Sequence, residues 1–129
     1  MKLIEPILEF HTELQQIRRT IHAHPELSYE EVQTSDLVAK KLTEWGIPVI
    51  LGLGLTGVVG VIKNGTSKRA VGLRADMDAL PVQESNTFPH HSQHEGKMHA
   101  CGHDGHTAML LGAAHYLSQH KNFDGTVYV

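Results

Sequence analysis

The sequence predicts an α/β fold in which a mixed, partly parallel sheet is flanked by helices. Apolar side chains recur at intervals of three and four in residues 4–22 and 29–45, the spacing of two amphipathic helices. Four β-branched or apolar runs are typical of strands: 47–51, 58–65, 70–76 and 125–129. A third helical pattern, over 103–120, separates the last two runs. This order predicts a βαβ crossover between parallel strands.

Local signals mark where these elements end. Pro25 follows the first helix, and Gly46 suits the C-terminal end of the second. Ser28 and Glu31 have the spacing of a capping box, which predicts that the second helix starts there. The glycine-rich stretch 52–57 follows a strand, but another strand comes next. We therefore predict a hairpin-like turn and not a phosphate-binding loop. A second turn is predicted over 64–69.

Composition excludes several classes of protein. The 129 residues are 40% hydrophobic and 19% charged, with a net charge of −3 and no basic stripe, so no nucleic-acid partner is expected. The single cysteine cannot form an internal disulfide, which favours a reducing, cytoplasmic location. The charged N-terminal segment does not resemble a signal peptide. No apolar run approaches the ~18 residues of a membrane span, so no membrane association is expected.

Histidines are concentrated in one part of the chain. Eight of the eleven lie between residues 90 and 120, and a long polar segment without regular pattern, 81–99, overlaps this region. Histidine is the commonest metal ligand, and loops of this length are usually functional or disordered. Any site is therefore expected in or beside this region.

Two carboxylates lie at the end of a predicted strand, in the stretch LRADMDALP. Asp76 and Asp78 are two positions apart, so their side chains point the same way on an extended backbone. Such strand ends bind ligands in parallel α/β sheets. Two neighbouring carboxylates repel each other and need a cation or a shared proton. Arg74 has the same parity and can supply the cation, so a solvated strand end with an Arg–Asp pair is the alternative to a site.

The chain's only cysteine lies in the stretch HACGHDGH. Cys101 and His103 offer a thiolate and an imidazole, a donor pair suited to zinc or a similar divalent ion. Because zinc needs at least three protein ligands, further donors must come from Asp76, Asp78, His99 or residues outside this chain. A cysteine–histidine nucleophile and a plain loop before a helix are the alternatives; spacing favours the metal site.

Neighbouring residues fit the same interpretation. His103 and His106 are three apart, so they share one face of a helix. Asp104 either caps that helix or supports a ligating histidine from the second shell. Two other histidine-containing stretches are assigned no site. Residues 21–31 are interpreted as a helix stop and cap, and 89–96 as a solvated loop.

Four stretches, in order, resemble a known family: RRTIHAHPELSYEE, LTEWGIPVILGLGLTGVVGVI, VGLRADMDALPVQE and GKMHACGHDGHTAMLLGAA. They are similar to the N-terminal third of the amidohydrolase branch of the aminoacylase and carboxypeptidase family of metallopeptidases. That branch includes hippurate hydrolases, indole-acetyl-amino-acid hydrolases and N-acyl-amino-acid amidohydrolases. The resemblance extends from about residue 9 to residue 129.

The resemblance implies a zinc-exopeptidase-like catalytic domain that binds two divalent ions, with zinc, manganese, cobalt or nickel as the candidates. It makes Cys101 and His103 metal ligands and gives Asp78 a supporting catalytic role. Asp76 occupies the position at which many relatives have a ligating histidine. Asp76, Asp104 and His106 are each expected either to bind a metal ion or to support a residue that does. The remaining ligands and a catalytic glutamate are implied downstream.

The resemblance also implies a function and a domain organisation. Residues 1–129 are expected to form the N-terminal part of the catalytic domain, without its remainder and without the inserted dimerisation domain. The full-length protein is expected to hydrolyse the amide bond of N-acyl amino acids as a homodimer, and this segment alone to be inactive. The alternative is a non-enzymatic, histidine-rich metal-binding or interaction module.

Overall fold

A computed structural model describes residues 4–129; residues 1–3, the first of the segment assessed for a signal peptide, lie outside the described part. In chain order the elements are α1 (Glu5–Glu9), α2 (His11–Ala23), α3 (Val32–Glu44), β1 (Val49–Leu53), β2 (Gly57–Asn64), β3 (Ala70–Gly72), α4 (His103–Gln119) and β4 (Gly125–Tyr128). A four-stranded mixed sheet flanked by helices confirms the predicted fold class.

The sheet has the order β1-β2-β4-β3. β1 and β2 are antiparallel and joined by a short turn, so the hairpin predicted over 52–57 is confirmed. β2 and β4 are also antiparallel, whereas β3 and β4 are parallel, with Val71 opposite Val127. Because α4 connects these two parallel strands, the predicted βαβ crossover is confirmed.

The core lies between the sheet and the helices. α4 packs against α2, α3 and β2, which places it at the centre of the fold. Ala114 of α4 and Leu42 of α3 are almost fully buried. Gly112 allows α2 to approach α4 closely, because a Cβ there would lie 2.8 Å from Leu14 Cδ1. The tight contact fixes the position of α4 in the fold.

The first predicted helix is divided in two. The pattern over 4–22 predicts one helix, but α1 ends at Glu9 and α2 begins at His11. Phe10, between them, packs its ring against Trp45 at 5.5 Å and stacks on His115 at 4.0 Å between ring centroids. These tertiary contacts accompany a break that periodicity alone does not reveal.

The predicted capping box is wrong. α3 starts at Val32, after the N-cap residue Glu31. The Glu31 side chain makes no capping hydrogen bond. Glu26 takes over this function: its carboxylate accepts hydrogen bonds from the backbone N–H groups of Gln33 and Thr34, at 2.9 and 2.8 Å. Glu31 instead accepts a bond from the Thr56 hydroxyl at 2.7 Å. A residue outside the capping-box spacing therefore satisfies the free donors of the first turn.

Strand β3 is shorter than the predicted run 70–76. Its last residue, Gly72, is paired with Tyr128 at the end of β4, so the chain beyond Leu73 has passed its partner strand. Residues 74–78 continue as irregular chain. Asp76 and Asp78 therefore lie beyond the carboxyl end of β3, at the edge where α4 begins.

The long segment 81–99 is held as a loop by hydrogen bonds at its base and across it. Leu80 and Met98 exchange two backbone hydrogen bonds, at 2.9 and 3.0 Å, which close the base of the loop. The Gly96 N–H donates to the Gln83 side chain at 2.8 Å across the loop. This loop, residues 81–97, is called the closed loop below. No helix in residues 4–129 is long and apolar enough to cross a membrane.

Candidate metal centre

Three side chains converge where α4 begins. One potential ligand atom from each of Asp76, His103 and His106 lies within 4.8 Å of the others. This group, one carboxylate and two imidazoles, is called the metal centre below. Carboxylate oxygen and imidazole nitrogen are both common ligands of zinc and of related divalent ions. The donor set therefore fits the kind of ion predicted from the sequence.

The start of α4 sets the spacing of the two histidines. Gly102 is the N-cap and has φ of 88°, a left-handed conformation that glycine adopts readily. His103 and His106 then fall in the first helical turn, and their ring centroids are 5.3 Å apart. The prediction that these two histidines share a helix face is confirmed.

Asp78 determines how the His103 ring is presented. His103 Nδ1 lies 2.9 Å from Asp78 Oδ1 and 2.8 Å from the Asp78 carbonyl oxygen. Because both neighbours are acceptors, Nδ1 carries a proton and donates it, so in the neutral ring the lone pair is on Nε2. That nitrogen is 3.7 Å from Asp76 Oδ2. Asp78 thus holds the ring with its free nitrogen in the metal centre.

Asp76 is held by two contacts. Its Oδ1 pairs with the Arg74 guanidinium at 2.5 Å, which confirms the predicted Arg–Asp pair. The Thr107 hydroxyl of α4 donates to the Asp76 carbonyl at 3.0 Å. The two carboxylate oxygens therefore have different neighbours, Arg74 for one and His103 for the other. The Arg–Asp pair and the metal centre share one carboxylate and do not exclude each other.

Cys101 lies outside the metal centre. It is exposed and precedes the N-cap Gly102, so it does not follow the helical spacing that aligns His103 with His106. Within residues 4–129 no hydrogen bond joins its Sγ to a histidine. Its role as a metal ligand stays a prediction.

Asp104 is fully buried, and the prediction that it caps α4 is wrong. Its Oδ2 accepts hydrogen bonds from Arg18 Nε at 3.1 Å and from His22 Nδ1 at 2.9 Å. Burial by itself would raise the pKa of Asp104, but the bonds from His22 and Gly105 and the charge of Arg18 lower it. Asp104 therefore supports His22, not the predicted ligand His103.

His22 extends this contact into a buried network. Its Nε2 lies 3.1 Å from Glu84 Oε1, so its two nitrogens face two buried carboxylates. Both nitrogens donate only when the ring is an imidazolium. Asp104, His22 and Glu84, together with the exposed Arg18 that bonds to Asp104, form what is called the buried network below. No sequence pattern predicts this network, because its hydrogen-bonded pairs are 62 to 86 positions apart.

Glu84 joins the closed loop to the buried network. Its carboxylate accepts hydrogen bonds from Asn86 Nδ2 at 2.8 Å and from the Ser92 N–H at 2.5 Å. Burial would raise the pKa of Glu84, but these bonds and that from His22 lower it from 4.5 to about 2. The ionised carboxylate is therefore the form that holds the loop.

Acid should weaken the fold through Glu84. Because its pKa is lower in the folded than in the unfolded chain, the stabilisation is complete above pH ~4.5 and is lost towards pH 2. At ~1.4 kcal/mol per pKa unit, the difference is on the order of 3 kcal/mol. Urea denaturation between pH 2 and 6 should show a shallower pH dependence for Glu84→Gln than for the unmodified chain. Parallel curves would contradict this assignment.

His99 lies beside the buried network. It is only 4% exposed, and neither ring nitrogen has a hydrogen-bond partner among the described residues. Burial lowers its pKa, which favours the neutral ring, although the nearby Asp104 charge opposes this effect. His99 is not in the metal centre, so the structure does not bring together this proposed donor and Asp76.

An open cavity of about 640 Å³ extends from Asp76 and Asp78 along the sheet. Apolar side chains of α4 and β4, including Leu110, Leu111 and Tyr128, line part of its wall. The two carboxylates thus lie at the edge of a space large enough for a small organic molecule.

Comparison with known proteins identifies the class to which this fold and site belong. Residues 72–129, the segment that holds both aspartates and the metal centre, match the model of Peptidase family M20/M25/M40. The chain is 53% identical over 127 residues to hippurate hydrolase of Campylobacter jejuni. It is 53% identical over 112 residues to IAA-amino acid hydrolase ILR1-like 5 of Arabidopsis thaliana. These matches cover 98% and 86% of the chain.

Two solved structures have a fold similar to that of this chain. A dinuclear metal-binding M20 peptidase of Bacillus subtilis superposes with a TM-score of 0.89 at 43% identity, over 94% of this chain and 35% of that one. A Staphylococcus aureus protein gives a TM-score of 0.92 at 37% identity, over 97% of this chain and 34% of that one.

The resemblance predicted from the sequence is confirmed, and the chain belongs to the M20 peptidase family. It spans 33% of the length of the hippurate hydrolase and 26% of that of the plant hydrolase.

Proposed function

We propose that residues 1–129 form the N-terminal part of the catalytic domain of a metal-dependent amidohydrolase that cleaves N-acyl amino acids. The observation that carries the proposal is the convergence of Asp76, His103 and His106 in a segment that matches the M20 family. The relatives named hippurate hydrolase and IAA-amino acid hydrolase support this substrate class. Hippurate is itself an N-acylated glycine.

The metal centre and Cys101 would hold part of a two-ion site. A dinuclear neighbour in the same family supports two divalent ions, for which we propose zinc, manganese, cobalt or nickel. When bound, such ions polarise a carbonyl group and lower the pKa of a coordinated water. In this site His103 and His106 would be imidazole ligands, and Asp76 a carboxylate ligand or a second-shell partner of His103.

The other residues of this chain would position these donors. Asp78 accepts a hydrogen bond from the His103 Nδ1–H group and so keeps Nε2 available to an ion. Arg74 neutralises part of the charge of Asp76, which lowers the repulsion between Asp76 and Asp78. Asp104 would act one step further away, by fixing the first turn of α4 through Arg18 and His22.

Three further statements belong to this proposal. The rest of the catalytic domain and a dimerisation domain would lie outside these 129 residues, which is supported by the share of each relative that the chain spans. The full-length protein would be a homodimer that acts on a small-molecule substrate. The single thiol supports a cytoplasmic location.

Hydrolysis of hippurate and of N-acetyl amino acids tests the proposal. The full-length polypeptide should release the free amino acid, lose this activity to a chelator, and regain it with a divalent ion. The 129-residue chain alone should show no turnover at the same concentration. Metal-dependent turnover by the 129-residue chain would contradict the expectation that this chain alone is inactive. If the metal-loaded full-length protein hydrolyses neither hippurate nor the N-acetyl amino acids, the proposed amidohydrolase function is wrong.

The same samples test the non-enzymatic alternative. A histidine-rich binding module would unfold cooperatively as the short chain and gain thermal stability from zinc, while the full-length protein would cleave none of the amides. Hydrolysis by the full-length protein excludes this alternative.

A further inference from the structure

Two histidines from distant parts of the sequence meet outside the metal centre. His24, just after the end of α2, has its Nδ1 3.3 Å from Nε2 of His94 in the closed loop, although the two residues are 70 positions apart. His24 is partly exposed and His94 is exposed, so solvent and ions can reach both rings. The sequence pattern of neither stretch predicts a site.

The backbone around both rings is fixed by hydrogen bonds. The Gln93 N–H donates to the Ala23 carbonyl at 2.9 Å, which joins the residues immediately before the two histidines. The His94 N–H donates to Ser92 Oγ at 3.1 Å, and Ser92 Oγ donates to the His94 carbonyl at 3.0 Å. The fold therefore holds the backbones of the two histidines close to each other.

The separation of the nitrogens matches shared coordination of one ion. Two nitrogens that each lie ~2.05 Å from a zinc ion at the tetrahedral angle are ~3.3 Å apart. We propose that His24 and His94 supply two imidazole ligands of a second, more weakly binding site for a borderline divalent transition ion such as nickel, copper or zinc, with solvent in the remaining coordination positions. The donors are two imidazoles without a carboxylate, which favours these ions over magnesium or calcium.

A bound ion would fasten the closed loop to the end of α2. It would add a link between His94 and His24 to the backbone hydrogen bond from Gln93 to Ala23. The inference goes beyond the proposed function and does not depend on it.

Imidazole ¹H–¹⁵N spectra of the unmodified chain, recorded during a zinc titration, test this site directly. The Nδ1 signal of His24 and the Nε2 signal of His94 should shift together and saturate with one ion per chain. Signals of these two rings that stay unchanged up to millimolar zinc, while those of His103 and His106 move, would overturn the proposal and leave a histidine–histidine contact only.

A set of variants gives an independent measurement by calorimetry. His94→Gln keeps a polar side chain but removes the imidazole, so one zinc equivalent should be lost, or its binding weakened at least tenfold. His94→Cys restores a zinc ligand and should retain that equivalent. His11→Gln, an exposed histidine at the start of α2, is the matched control and should bind as the unmodified chain does. Equal zinc stoichiometry together with equal affinity in His94→Gln and in the control would overturn the proposal.

Discussion

Replacement of His103 by alanine is expected to abolish divalent-ion binding at the metal centre. His103 is the member that Asp78 orients, that faces Asp76 and that shares a helix turn with His106. Loss of an outer-shell partner typically weakens metal affinity 10–100-fold, so loss of the ligand itself should cost at least about 100-fold. Zinc binding measured by calorimetry, with metal content measured by mass spectrometry, checks this expectation.

Asp78→Asn tests how much the orientation of the His103 ring contributes to metal affinity, because it leaves His103 itself in place. The amide keeps the shape of the side chain, and the Asp78 carbonyl still accepts from Nδ1, so affinity should fall by about 10–100-fold without being lost. His11→Ala is the control and should leave the affinity of the metal centre unchanged. If His103→Ala binds an ion at the metal centre as tightly as the control, the ligand set assigned here is wrong.

Replacement of Asp104 by alanine is expected to be the most destabilising change in the buried network. The Asp104 carboxylate has 1% of its side chain exposed and His22 has 7%, so the His22 ring would stay buried without this hydrogen-bond partner. Removal of one partner from a buried pair typically costs ~3–5 kcal/mol, a large part of the stability of a small domain. Urea denaturation at pH 7 measures the loss.

Two further variants make this expectation testable even if Asp104→Ala does not fold. Asp104→Asn keeps the shape of the residue and should destabilise the chain less than alanine does. Asp36→Ala, at an exposed aspartate of α3, should change the free energy of unfolding by no more than about 0.5 kcal/mol. If Asp104→Asn and Asp36→Ala are equally stable, the carboxylate of Asp104 does not hold the network together.

Local patterns predicted the parts of the fold that local physics determines. The hairpin over 52–57 follows from glycine-rich turn chemistry, and the crossover follows from a helical pattern between two β-branched runs. The shared face of His103 and His106 follows from helical spacing alone. In each case the residues that interact are close in the sequence.

Long-range contacts determine what the sequence did not reveal. Glu26 replaces the predicted cap of α3, and Phe10 lies at a break between two helices where it packs on Trp45. The buried network needs His22 and Glu84 to meet across 62 positions, and no spacing rule predicts such a pair. Histidine content points to residues 90–120, but not to His24, the partner of His94 just after the end of α2.

The packing of α4 has a consequence for the thermodynamics of ligand capture. Gly112 allows the helix to pack closely against α2, and the Thr107 hydroxyl donates a hydrogen bond to the Asp76 carbonyl. The first turn of α4 is therefore ordered by contacts that involve no ion. The conformational entropy of ordering His103 is therefore lost during folding and not during metal binding. An arriving ion meets a largely preorganised donor set, so more of the coordination energy appears as affinity.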